Sequence, residues 1–322
     1  CIRDSYEIDT IAPTVSSVAI TDAEGVQNSF VNVGDNVSVT ATFSEAVIVD
    51  NSSGNNPTIT LAVGSDNGTA VYASGDNSTA LVFRYTIQSG DNDDNGTSIR
   101  ANALALNSST IRDRAGNIAD NLTHSAVPDN SSYIVDNTPP TVSSVAIDNA
   151  TNKQNNFVNA GDNVSVKVTF SETPISAVII DNASAATLTL VVGSTNRTAA
   201  YTSGSSTIVS SGSDNASLVF SYIIQATGTS GENDSNGISI VANALNSDNI
   251  TIRDAAGNIA ILTHSAVDNN SSYKVDTIPP SVDNFTMSDT ELKIGDTATV
   301  TLEFSEPVCG ASSGCLLSQT GG

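Results

Sequence analysis

The sequence predicts an all-β chain organised as a tandem array of β-sandwiches, and three observations carry that reading. One stretch, Ser131-Ser132-Tyr133-Ile134-Val135-Asp136-Asn137-Thr138-Pro139-Pro140-Thr141-Val142, reads as a strand, a proline-stiffened junction and a second strand. It recurs from Ser271 to Val282, and an earlier copy opens the chain as Asp4-Ser5-Tyr6-Glu7-Ile8-Asp9-Thr10-Ile11-Ala12-Pro13-Thr14-Val15. Self-similarity at a domain-sized spacing means an array of like domains and not a thin solenoid. Composition is the third observation. Aromatics make up 5% of the chain and Trp is absent, while Asn, Ser, Thr, Gly and Asp separate short Val/Ile/Leu/Phe runs. That is how many short strands joined by polar turns are written.

Taken in order, residues 1–12 read as the last strand of a preceding repeat, 13–138 as repeat 1, 139–278 as repeat 2, and 279–322 as the first strands of a partial repeat 3. In repeat 1 a strand is expected over Thr14–Ile20. Another is expected over Asn36–Phe43, where Val37, Val39, Ala41 and Phe43 alternate with polar residues as a half-buried strand requires. Strands follow over Thr58–Val63, Thr69–Ala73, Ala80–Ile87, Ser98–Leu104, Ser109–Arg112 and Ser132–Val135, with Phe43, Val82 and Phe83 as core candidates. About seven strands with frequent turn signals suit an immunoglobulin-like sandwich. Repeat 2 follows the same order: Phe170-Ser171-Glu172 answers Phe43-Ser44-Glu45, and Asp254-Ala255-Ala256-Gly257-Asn258 answers Asp113-Arg114-Ala115-Gly116-Asn117. The partial repeats at the two ends admit two readings. The chain is a window on a longer repeat protein, or an open sheet edge is completed by another chain, head to tail.

The charge balance narrows the partners. Eleven Lys+Arg against 34 Asp+Glu give a formal charge of -23. Nucleic acid and anionic membrane surfaces are repelled by such a chain, and no apolar run approaches the roughly 18–20 residues that cross a bilayer. The surplus of carboxylates suits either a merely soluble surface or hard cations such as Ca²⁺.

The ordered combination of Phe-Ser-Glu, Asp-x-Ala-Gly-Asn and Val-Asp-x-x-x-Pro resembles the bacterial Ig-like repeats found in tandem in large extracellular adhesins and surface fibre proteins. The resemblance covers nearly the whole chain, but Cys309 and Cys315 follow the third Phe-Ser-Glu, where most bacterial copies lack them. It implies an extracellular or cell-surface location and a structural role as a rigid spacer in a fibre, stalk or appendage. The expected partners are neighbouring repeats or further copies of the chain. The alternative is an adhesion module that binds a glycan or protein through its loops. The fold by itself hosts many functions.

Candidate metal ligands fall in two places. Asp91, Asp93 and Asn95 fit the D-x-D-x-N-G half of a calcium loop, but lack its bidentate Glu, so an ordinary polar hairpin loop competes. Calcium is better placed at the junctions. Glu45, Asp113 and Asp136 are expected near one pole of repeat 1, with Glu172, Asp254 and Asp276 their equivalents in repeat 2. There, ions would bridge and stiffen adjacent domains, as in cadherin-like repeats. The competing reading makes these residues shapers of strand ends and Asp/Asn-Gly turns.

Sequons permit N-glycosylation at Asn36, Asn67, Asn77, Asn107, Asn121, Asn130, Asn163, Asn196, Asn249, Asn270 and Asn284, among others. Cys309 and Cys315 are close enough for a disulfide in an oxidising compartment. Cys1 reads as a cut point, a partner for another thiol, or a lipidated first residue. No enzyme is expected: His124 and His264 sit in matched Leu-Thr-His-Ser-Ala-Val segments, and no phosphate loop, zinc spacing or triad accompanies them.

Overall fold

The computed structural model describes residues 8–171, 177–202, 207–210, 217–226, 232–246, 248 and 250–308. Among these residues the chain is all-β in several sheets. None of its helices is long and apolar enough to cross a membrane. Glu172, Asn249, Cys1, Cys309 and Cys315 lie outside the described residues.

The first unit holds β1 (Val15–Glu24), β2 (Phe30–Val31), β3 (Asn36–Asp50), β4 (Thr58–Val63), β5 (Asp66–Ser74), β6 (Ser78–Thr86), β7 (Ser98–Ala105), β8 (Thr110–Arg112) and β9 (Ile134–Val135). Its main sheet runs β1-β3-β6-β5-β4-β7. The second unit holds β10 (Thr141–Ala150), β11 (Phe157–Val158), β12 (Asn163–Ser171), β13 (Ala177–Asp181), β14 (Thr187–Val192), β15 (Thr195–Tyr201), β16 (Thr207–Ser210), β17 (Ser217–Ile223), β18 (Ser239–Asn246), β19 (Thr251–Asp254) and β20 (Lys274–Val275). Its main sheet, β10-β12-β17-β15-β14-β18, has the same order. A final antiparallel hairpin consists of β21 (Val282–Met287) and β22 (Val300–Phe304).

The strands expected from the sequence coincide with β1 and β3 to β9, with differences that have physical causes. β3 does not stop at Phe43. Val47 is fully buried and continues the inward alternation, so the strand runs on until Ile48–Asp50 pair with β8. One strand thereby joins the main sheet to a second set of pairings. Residues 30–31 form a two-residue parallel pairing with β9, too short to leave a periodic signal. Val82 is not a core residue. It is half-buried, while its neighbours Leu81 and Phe83 point inward, as a period of two dictates. Each unit has its own apolar core, and Phe83 and Phe220 meet Tyr72 and Tyr201 edge-on at centroid distances of 6.0 and 5.8 Å.

One corner differs between the units. In the first, the Tyr85 ring lies against Gly68, where an added Cβ would sit 2.7 Å from the ring, and the phenol donates to Asp91. In the second, Arg197 takes the place of Gly68 and pairs with Glu232, which also accepts from Tyr222. The added cation is accompanied by a longer acid, Glu232 in place of Asp91. Burial, reinforced by the acceptor carboxylate, pushes both phenols above the ordinary tyrosine range.

Both histidines act as backbone clamps. His124 Nε2 accepts from the Ala103 N–H at 2.8 Å and Nδ1 meets the Ser125 carbonyl at 2.8 Å. His264 does the same with Ala244 and Ser265. The acceptor role of Nε2 fixes the proton on Nδ1.

Phe83→Ala removes a wholly buried ring and is expected to destabilise the first unit by about 3–5 kcal/mol. Val82→Ala is expected to cost no more than about 1.5 kcal/mol. Urea unfolding of the two variants checks the assignment, and equal losses would contradict it.

Candidate metal centre at the junctions between units

The Phe-Ser-Glu motif divides its work residue by residue. Phe43 is buried in the core. Ser44 clamps the start of its unit, with the Thr14 N–H donating to its hydroxyl at 3.1 Å and its own N–H donating to the Thr14 carbonyl at 2.9 Å. Ser305 and Ser281 repeat that exchange in the final hairpin. The glutamate is thereby held beside the proline linker.

The Asp-x-Ala-Gly-Asn segment forms a tight turn. Gly257, at φ +100°, supplies the left-handed residue that the turn requires. Asp254 is fully buried and accepts from the N–H groups of Gly257 and Asn258 at 2.7 and 2.8 Å, while its second oxygen accepts from the Asn258 side chain at 2.8 Å. The same Asn258 amide donates to the Asp136 carbonyl at 2.9 Å, crossing from the second unit to the linker of the first. Asn117 does likewise with the carbonyls of Asp9 and Ile11. From the other side, Asn28 and Asn32 donate to the carbonyls of Ala255 and Ala256 at 2.9 and 2.8 Å.

This geometry regroups the expected ligands. Asp136 does not join Glu45 and Asp113. The third member beside that pair is Asp9, from the segment preceding Pro13, and the carboxylate oxygens of Asp9, Glu45 and Asp113 lie within 4.8 Å of one another. Asp136 instead acts on Asp254 of the following unit, and Asp276 on Glu306 of the hairpin. The physical reason is the linker. Each linker Asp accepts from the N–H two residues on (Ile11, Thr138 and Ile278), a local turn that keeps it at the junction it closes. Asp9 and Glu306 were missed because they stand in the fragmentary repeats, although the repeated motif contains both.

Crowding and burial leave their mark on the acids. Burial pushes the Asp136 carboxyl up to about 6; the Thr138 hydrogen bond resists the rise, and the charges of Asp254 and Asp94 add to it. Burial also raises Asp254, against the hydrogen bonds from its own turn. Glu45 is raised by burial and by the charges of Asp9 and Asp113, and Glu306 by burial and by Asp276. Asp113 goes the other way: burial opposes its charge, but hydrogen bonds from Asn117, Gly116 and Ala115 outweigh it and hold the carboxyl low. An all-oxygen, acidic donor set suits a hard cation such as Ca²⁺, and Asp9, Glu45 and Asp113 fit that role.

The acidic hairpin loop is engaged differently. Asp91 accepts from Tyr85 and the Gln88 N–H, Asp93 accepts from the N–H groups of Gly64, Asn95 and Gly96, and the Asn95 amide donates to Asp129. Among the sequons, Asn67, Asn77, Asn107, Asn121, Asn196 and Asn284 are exposed, whereas Asn36, Asn130, Asn163 and Asn270 are half-buried.

No family model matches the chain, and no curated protein matches it. Among solved structures, it aligns with the titin fragment A168169 at 12% identity and a TM-score of 0.20, over 84% of this chain and 100% of that one. It also aligns with SGBP-B of the Bacteroides ovatus mixed-linkage glucan utilization locus, in complex with a mixed-linkage heptasaccharide, at 13% identity and a TM-score of 0.16. That alignment covers 88% of this chain and 50% of the Bacteroides protein. Superpositions this poor carry no functional argument.

Two outcomes are expected. Asp136 binds its proton more tightly in the folded chain, so that contribution to stability is present at low pH and lost as pH rises through about 6. Without divalent cations the melting temperature therefore falls between about pH 4 and pH 7, and Asp136→Asn flattens the fall; calorimetry across that range checks it. Asn258→Ala removes the cross-junction donor and is expected to cost about 1–3 kcal/mol. NMR relaxation should show the two units tumbling less as one body.

Proposed function

We propose that the chain is a run of tandem immunoglobulin-like sandwiches belonging to an extracellular or cell-surface fibre, adhesin stalk or appendage, and that it acts as a rigid spacer. The observation that carries this reading is the recurrence of one junction. Three times a linker aspartate meets acids of the unit that follows: Asp9 with Glu45 and Asp113, Asp136 with Asp254, and Asp276 with Glu306. Ca²⁺ at these junctions would neutralise carboxylates that otherwise repel one another, and would fix the angle between successive units. The spacer role is not enzymatic. Both histidines are committed to backbone groups, and the junction aspartates Asp113 and Asp254 to the turns they shape.

Ca²⁺ is expected to raise the melting temperature at neutral pH and to lengthen the particle measured by small-angle scattering, with a chelator reversing both. Asp254→Asn should weaken the response at the second junction. Scattering curves identical with and without Ca²⁺ would remove the cation from the reading. Short, freely hinged particles in both conditions would remove the spacer.

A further inference from the structure

One edge of each main sheet is closed by a strap that is not itself a strand. β7 and β18 stand last in their sheets, and segments 124–130 and 264–270 run along their outer edges. Ile99 and Val127 exchange N–H to carbonyl bonds at 3.0 and 2.7 Å, and the Asn130 N–H donates to the Thr97 carbonyl at 3.1 Å. Ile240 and Val267 make the same exchange at 3.0 and 2.8 Å, with the Asn270 N–H donating to the Ile238 carbonyl at 2.9 Å.

Beyond these bonds the strand bulges. Ile99 and Leu104 stand opposite Leu61 and Ile59, so the ladder between β7 and β4 skips the residues in between. β18 bulges alike, with Ile240 and Leu245 opposite Leu190 and Leu188. The amides inside each bulge turn to the strap's histidine. The Asn102 N–H donates to the His124 carbonyl at 3.3 Å, and the Asn243 N–H to that of His264 at 3.2 Å. Asn102 and Asn243 are left-handed, at φ +59° and +54°, and their side-chain oxygens accept from the His124 and His264 N–H groups at 3.0 Å. The next amide, of Ala103 or Ala244, has the imidazole Nε2 as its acceptor.

That last bond exists only while the ring is neutral. A second proton would sit on Nε2 and face the Ala103 or Ala244 N–H, donor against donor, while Nδ1 stays on the Ser125 or Ser265 carbonyl. Ala244 is only 4% exposed, so its N–H gains little from water when the ring withdraws. No carboxylate pairs with either ring among the described residues. The charged residues of the packed elements are Arg100 of β7 with Asp120 and Asp129 of the first strap, and Asp268 of the second; β4, β14 and β18 carry none.

We propose that the two straps are acid-released catches: proton uptake by His124 and His264 frees segments 124–130 and 264–270 and uncovers the backbone donors of β7 and β18. Imidazole is the side chain that takes up a proton in mild acid. Because the closed strap accepts only the neutral ring, its contribution to stability is present at neutral pH and lost as pH falls. That direction is opposite to the one expected for Asp136. The inference rests on neither Ca²⁺ nor the spacer role.

The test follows the full, ¹⁵N-labelled chain by NMR from about pH 7.5 to about pH 5. Ring nitrogen shifts report protonation of His124 and His264, and amide exchange, corrected for its intrinsic pH dependence, reports the catch. Protection of Ala103 and Ala244 should fall about tenfold as the rings titrate, with Ile99 and Ile240 following and the amides of β6 and β17 unchanged. His124→Gln and His264→Gln supply an uncharged side chain that both accepts and donates, and should keep the same protection across the range. Rings that protonate while Ala103 and Ala244 stay protected would overturn the proposal. So would a fall of the same size in both glutamine variants, because carboxylates elsewhere would then be its cause. Should glutamine hold neither strap, the unaltered chain decides: ring titration and amide release whose midpoints differ by more than about one pH unit would exclude the catch.

Discussion

Asp254 lies wholly out of solvent at the tip of the second unit, where a charge survives only if its oxygens are satisfied. Two N–H groups of its own turn and the Asn258 amide do so. The requirement fixes the turn, the turn aims Asn258 at the linker of the first unit, and the carbonyls of Ala255 and Ala256 are thereby offered to Asn28 and Asn32. These hydrogen bonds between the two units thus depend on one buried carboxylate. A hydrophobic residue there would leave the turn's donors unpaired and the junction without its bridge.

The acids around that bridge pull against it. Hydrogen bonds lower the carboxylate of Asp113, whereas burial alone raises Asp254, and burial with like charge raises Asp136, Glu45 and Glu306. A junction assembled from repelling carboxylates is less stable than its hydrogen bonds alone would make it. Protons relieve that tension as pH falls through about 6, and the cation proposed for the junctions would do so once the carboxylates are ionised.

Much of the fold could be read from the alternation of Val37, Val39, Ala41 and Phe43 and from its repetition, because period-two burial writes itself directly into residue order. Two-residue pairings such as Phe30–Val31 with Ile134–Val135 leave no such trace. Nor does the passage of β3 between two sets of partners, since the sequence Ser-Glu-Ala interrupts the apolar pattern while the backbone stays extended. The acids of the candidate site were legible as residue types at repeated positions. Their grouping was not, because Asp136 is equally near in sequence to the unit it ends and to the one it precedes. Only the local turn onto Thr138 and the reach of Asn258 decide between them.

Neighbouring domains of similar sequence are prone to misfold by exchanging equivalent strands as they emerge during synthesis. The corner at Gly68 and Arg197 acts against this. Were β15 to pair with β6 in place of β5, the Arg197 side chain would start 2.7 Å from the Tyr85 ring and would leave Glu232 behind. A matched difference of a few atoms therefore gives each unit a means of rejecting its neighbour's strand, so that likeness between repeats need not become confusion between them.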